Sequence, residues 1–263
     1  MTLSIITVNL NNATGLQRTM ESILAQTCKD YEWIVIDGGS TDGSVELLRN
    51  NSSLLSYWRS EPDSGIYQAM NKGLRAATGT YVLFLNSGDC FADESVIDYF
   101  EHNHNNSDFI IGRIAWDSER PLIPTNDSTI AAEDEVFLLC VSAHPHQATF
   151  IRRDSFAEYG LYREDKRLAS DWYYTVCALI KGNASIQYIP ILVSVCEKGG
   201  ISSRLHKELY EERKDLIREN PFFSALFNFY ADNREIITAL KSNRFVFLLF
   251  RCYYFIFRKR QKV

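Results

Sequence analysis

The chain has 263 residues, 46% hydrophobic and 23% charged, with a formal net charge of −5. That balance suits a globular fold with a substantial core and excludes a disordered chain. Seven Lys or Arg and no acid fall in residues 241–263, so the first 240 residues sum to −12, an acidic body that does not suit general nucleic-acid binding. The six cysteines (28, 90, 140, 177, 196 and 252) form no CxxC pair and read as reduced thiols of a cytosolic protein. The opening MTLSIITVNLNN has no basic n-region or cleavage site, so no signal peptide is expected.

Residues 3–8, LSIITV, predict a short buried strand. Over 14–27 the period changes, with Leu16, Met20, Ile23 and Leu24 on one helical face. WIVID at 33–37 predicts a second strand closed by GGSTDG, followed by a short helix at 43–50. Asp63-Ser64 can cap a helix through residue 77, ended by Gly79. A third strand at 81–85 runs into Asn86-Ser87-Gly88-Asp89, and a helix follows at about 93–102. Strand and helix in alternation imply an α/β fold with a mainly parallel sheet. In such sheets ligands bind at the carboxyl ends of strands, where Asp37 and Asp89 both fall.

Farther along, strands are expected at 109–114, 148–151 and 186–190, with a Pro- and Asp-rich loop at 117–129. A helix over 171–181 places Asp171 in its first turn, and a charged helix covers 205–219. Residues 245–257, FVFLLFRCYYFIF, would make a helix about 20 Å long, too short to span a bilayer core of about 30 Å. With RKRQK behind it, this tail suits a membrane surface; the alternative is packing on the domain or on a second subunit of a homodimer.

Two strand-end carboxylates and a third from another segment fit a nucleotide-sugar site. A diphosphate supplies much of the coordination of Mn²⁺ or Mg²⁺, so one protein carboxylate suffices, and Asp171 can serve as the base that deprotonates a hydroxyl. His146 and Gln147 are candidates for the sugar subsites, and Trp172 for acceptor contact; packing is the alternative for His146 and Trp172. Arg204, behind Gly199-Gly200, can clamp a diphosphate or simply lie solvated in its loop.

SIITVNLN, VIDGGSTDGS and SEPDSGIYQAMNKGLRAATGTYVLFLNSGD together resemble the first half of a family 2 glycosyltransferase with the GT-A fold, across residues 1–100. The resemblance continues more loosely through HPHQATFIRR and ASDWYYTVCALIKG to about residue 205. It implies a GT-A domain at 1–205, nucleotide-sugar half first and acceptor half from 101, with C-terminal helices and a basic amphipathic tail at 206–263. It further implies that Thr7, Asn9 and Asp37 line the nucleotide pocket, that Asp63 touches the base, and that Asn71 joins the donor-binding set. Asn86 and Asp89 occupy the DxD-type position, with Asp89 the metal ligand, and Asp171 matches the base of an inverting mechanism.

Departures from the family pattern are plain. Asn86-Ser87-Gly88-Asp89 stands where many members have Asp-x-Asp-Asp, Met70 where many have Arg, and Ser170 where many have Glu. GIYQAMNKG and LNSGD resemble a branch that builds bacterial surface polysaccharides. No QxxRW motif of processive synthases occurs. The expected activity is transfer of one sugar from a nucleotide diphosphate sugar, UDP-linked by preference, to a lipid-linked saccharide at the cytoplasmic membrane face. A non-catalytic nucleotide-sugar-binding or scaffolding subunit is the alternative.

Overall fold

The computed structural model describes residues 2–116, 144–179, 184–197, 204–221, 223–225 and 228. The expected loop at 117–129, the Gly199-Gly200 pair ahead of Arg204 and the apolar tail at 245–257 lie outside the described residues. Among the described residues no helix is long and apolar enough to cross a membrane.

β1 (Leu3–Asn9) is buried along its whole length and lies between β2 (Tyr31–Asp37) and β4 (Tyr81–Phe84), parallel to both. Its β-branched residues suit a strand covered on both faces. α1 (Ala13–Leu24) connects β1 to β2 and is capped by Asn12, whose Oδ1 accepts the Gly15 N–H at 3.1 Å. α2 (Ser44–Asn50) leads to β3 (Tyr57–Ser60), a half-exposed edge strand parallel to β2. α3 (Ile66–Ala76) crosses back over β1 at Gly73, where any Cβ would collide with the Ile6 side chain.

The remaining sheet is mixed. β5 (Cys90–Phe91) and α4 (Val96–Asn103) precede β6 (Phe109–Trp116). β7 (Thr149–Arg152) runs antiparallel to both β4 and β6, and α5 (Ser155–Tyr159) follows it. α6 (Ser170–Cys177) then leads to β8 (Ile186–Cys196), and α7 (His206–Arg218) ends the regular elements. Strand order is β3-β2-β1-β4-β7-β6-β8-β5. One apolar layer packs beneath α3 and α6, the other beneath α1, α2 and α4.

Several boundaries move from those expected. β3 and β5 carry too few apolar residues to announce themselves. β8 continues past 190 to Cys196 because Pro190 sits beside register shifts against Arg113; a bulge is where a strand tolerates a residue without an N–H. The Asp63-Ser64 cap is not formed: Gly65 is the N-cap of α3, with φ +143°, while Asp63 Oδ1 accepts the Gly65 N–H at 3.0 Å. The four described cysteines, 28, 90, 177 and 196, are free thiols.

Candidate active site

Parallel register brings Asn9 and Asp37 side by side at the carboxyl ends of β1 and β2. The Asp37 side chain is 0% exposed, and an ionised carboxylate is costly there unless hydrogen-bonded. It accepts five bonds: from Asn9 Nδ2 (2.7 Å), Ser40 Oγ (2.6 Å), Ser60 Oγ (2.6 Å) and the Gly39 and Ser40 N–H groups (3.1 and 2.9 Å). Burial pushes its pKa up, but the bonds from Ser40, Ser60 and Asn9 outweigh this and hold it below the usual range. These bonds tie Asp37 to the GGS turn, at the place where the nucleotide contact is expected.

Thr7 is likewise interior. Its hydroxyl donates to the Leu85 carbonyl (2.8 Å) and accepts from Trp33 Nε1 (3.0 Å). Asn9 keeps one buried oxygen, Oδ1, with no partner, which leaves it a free acceptor at the sheet edge. Asp63 lies beside the same edge, its Oδ2 2.8 Å from where a Cβ on Gly38 would stand. Asn71 is a strap: Nδ2 donates to Tyr162 O (2.8 Å) and Glu164 Oε1 (2.9 Å), and Oδ1 accepts the Tyr162 N–H (3.1 Å).

The turn after β4 is held from α1. Gly88, at φ +102°, gives its N–H to Thr19 Oγ1 (3.0 Å) and its carbonyl to Arg18 (2.9 Å). Asn12 Nδ2 donates to the Ser87 carbonyl at 3.1 Å. The positive φ is what favours glycine here; the atom nearest a Cβ, Glu197 Oε2 at 2.5 Å, is the end of a side chain that can move aside. This geometry buries Asp89. Burial raises its carboxyl pKa, opposed by the charge on His146 and by hydrogen bonds from Gln147 and the Glu197 amide. Gln147 thus faces the Asp89 turn.

Because β7 is antiparallel to β4, the chain entering β7 passes the exit of β4, and His146 meets Asn86. Asn86 Nδ2 lies 3.0 Å from His146 Nε2, and His146 Nδ1 lies 3.3 Å from Asp171 Oδ2. A proton on Nδ1 is directed at Asp171, while the donor or acceptor role of Nε2 toward Asn86 follows the tautomer and protonation of the ring. Asp171 Oδ1 accepts from the Tyr67 hydroxyl (2.8 Å) and the Trp172 N–H (2.9 Å). Oδ2 has only His146, and Asp171 keeps 21% of its side chain exposed. Burial raises the Asp171 pKa, but the bond and charge of His146, then Tyr67 and the Trp172 amide, bring it below the usual range. Burial and the Asp171 charge push the Tyr67 pKa well up, keeping it a neutral donor.

α6 has no side-chain cap of its own; α7 supplies one. Glu212 Oε1 accepts the N–H groups of Leu168 (2.8 Å) and Ala169 (2.7 Å), and Oε2 accepts that of Arg167 (2.9 Å). Trp172 is 3% exposed and covered by Arg213, 5.0 Å from its ring centroid. Its ring packs in the core beside Asp171, the alternative to an acceptor contact. Arg204 is exposed just ahead of α7. Sequence reasoning missed the Tyr67 hydroxyl bond, the His146 bridge, Glu212 and Arg213. Tyr67 and Asn71 share a face of α3 at i, i+4, which is the one available signal; in LYEERKD nothing marks Glu212 or Arg213 among their neighbours.

A sheet switching from parallel to mixed, with polar turns at the carboxyl ends of β1, β2 and β4, defines a GT-A glycosyltransferase fold. The chain belongs to glycosyltransferase family 2: the family model described as "Glycosyl transferase family 2" matches residues 4–160. It is 33% identical over 210 residues to the PGL/p-HBAD biosynthesis glycosyltransferase of Mycobacterium tuberculosis, covering 77% of this chain and 79% of that one. It is 32% identical over 127 residues to the poly(ribitol-phosphate) beta-N-acetylglucosaminyltransferase TarP of Staphylococcus aureus, covering 46% and 39%. The structure of S. aureus TarS 1-349 in complex with UDP-GlcNAc superposes at TM-score 0.67 with 18% identity, covering 83% of this chain and 66% of that one. The mannosyltransferase PcManGT of Pyrobaculum calidifontis, in complex with GDP-Man and Mn²⁺, gives 0.55 with 16% identity, covering 95% and 82%. The chain is a glycosyltransferase related to enzymes of cell-surface glycan biosynthesis.

Proposed function

We propose that the protein is an inverting glycosyltransferase that moves a single sugar from a nucleotide diphosphate sugar, a UDP-sugar by preference, to a hydroxyl of a lipid-linked saccharide in bacterial surface polysaccharide biosynthesis. The observation that carries this reading is the chain Asn86–His146–Asp171–Tyr67, which joins the turn suited to a diphosphate to a carboxylate suited to proton removal. The acceptor hydroxyl gives its proton to Asp171 Oδ2, the oxygen with capacity to spare. The acceptor oxygen bonds to the anomeric carbon as the bond from that carbon to the diphosphate breaks, and the nucleoside diphosphate leaves with the electron pair. His146 holds Asp171 in place through its Nδ1 proton, and Tyr67 steadies the charge left on Oδ1.

The residues present fit Mn²⁺ or Mg²⁺ in company with a diphosphate. Asp89 is a buried carboxylate and the buried Asn86 Oδ1 has no partner, both hard oxygen donors. Among the described residues no three His, Cys, Asp or Glu side chains could hold a metal by themselves, so the diphosphate would complete the set. The bound ion would supply positive charge to the leaving diphosphate. The UDP-GlcNAc held by TarS and the poly(ribitol-phosphate) named for TarP support a UDP donor and a surface-polymer acceptor. The GDP-Man and Mn²⁺ of PcManGT support the metal. The basic apolar tail supports a peripheral position on the cytoplasmic face of the membrane, beside a lipid-linked acceptor.

Asp171→Asn tests the reading. Turnover is expected to fall by at least about 10²-fold, with UDP affinity within about twofold of wild type, measured by product release and calorimetry. An Asp171→Asn variant that turns over at the wild-type rate overturns the assignment.

A further inference from the structure

Arg213 has no role in the chemistry above, yet it stands at the site. It follows Glu212 on α7, and its guanidinium lies over the Trp172 ring at 5.0 Å. Arg163 and Arg218 each pair with carboxylates; among the described residues Arg213 pairs with none, and its buried Nε has no hydrogen-bond partner. A half-buried cation without a counter-charge is costly, and the cation–π contact offsets only part of that. Burial pushes its guanidinium pKa down, while Asp171 and then Tyr67 oppose that shift. The Asp89 carboxylate instead feels His146. His146 links Asp171 to the Asn86 turn, whereas Arg213 reaches in from α7 over Trp172, the residue next to Asp171, and stands outside that link.

A cation beside a general base also weakens that base, because it favours the ionised carboxylate. The arrangement makes chemical sense if a second negative charge arrives with the substrate. Resting on the glycosyl-transfer reading, we propose that Arg213 is the anion receptor of the acceptor subsite, taking a phosphate or carboxylate oxygen that the acceptor carries close to its reacting hydroxyl. The planar guanidinium presents a fork of donors to such a group. This selects anionic acceptors, such as a diphosphate-linked saccharide or a phosphodiester polymer, over neutral ones.

Glycerol 1-phosphate titrated by calorimetry into the full-length protein loaded with UDP and Mg²⁺ tests this. Wild type is expected to bind the phosphate ester. Arg213→Gln is expected to bind it about tenfold more weakly or worse, and Arg213→Lys at an intermediate level. UDP affinity and the melting temperature should be unchanged in both variants. No binding to wild type, or equal binding to Arg213→Gln, overturns the proposal. A loss of UDP affinity in a well-folded Arg213→Gln assigns the residue to the donor diphosphate and overturns the acceptor assignment. If UDP does not bind wild type, the donor reading fails instead, and the same titration without nucleotide still decides whether Arg213 receives a phosphate.

Discussion

Asp37 and Asp171 are both acidic residues at element ends, yet they do different work. Asp37 is filled by five donors and fully enclosed; Asp171 accepts three and keeps part of its side chain exposed. A carboxylate at a strand end reads the same in sequence whether backbone amides or a ligand meets it, so the dense bonding of Asp37 could not be read from VIDGGS. Asp37→Asn should cost about 2–4 kcal/mol in urea unfolding at pH 7. The sign with pH follows from its depressed pKa: the stabilisation is complete above the unfolded value near 4 and is lost as pH falls through the lower folded value. The gap between wild type and Asp37→Asn should therefore narrow on acidification below about pH 4. A gap that widens there contradicts the clamp.

At the scale of elements, the first hundred residues were legible because each strand is short, β-branched and ended by a polar turn, and each helix shows its period. β1, β2, β4 and α3 lie within a few residues of their expected positions. β3, β5 and the second half of β8 were not, since edge pairing and a bulge at Pro190 leave no periodic trace. The antiparallel insertion of β7 is the step that brings His146 to Asn86, and local pattern carries no information about it. The dependence of α6 on α7 is similar. Glu212 satisfies three N–H groups ahead of the helix that bears Asp171. Glu212→Ala should lower stability by about 1–2 kcal/mol, as loss of a cap does, and reduce kcat more than it changes donor KM. A kcat equal to wild type in a measurably destabilised variant would separate the cap from the positioning of Asp171.

On the scale of the whole molecule, acidic body and basic tail divide the charge, −12 against +7. Each basic residue near an anionic bilayer contributes about 1 kcal/mol. Replacing Arg258, Lys259, Arg260 and Lys262 by Gln should weaken co-sedimentation with phosphatidylglycerol vesicles at least about tenfold; unchanged binding would remove the membrane surface from the account. The body itself brings the turns after β1, β2 and β4 toward Asp171, the arrangement proposed to take nucleotide, diphosphate and proton. The most direct test of that arrangement is calorimetry of UDP with Mn²⁺, repeated with EDTA and with Asp89→Ala. Metal-dependent UDP binding, abolished by EDTA and by Asp89→Ala and retained in Asp171→Asn, is the expected result. Equal UDP binding by wild type and Asp89→Ala, or none by wild type, would contradict a donor site at these turns.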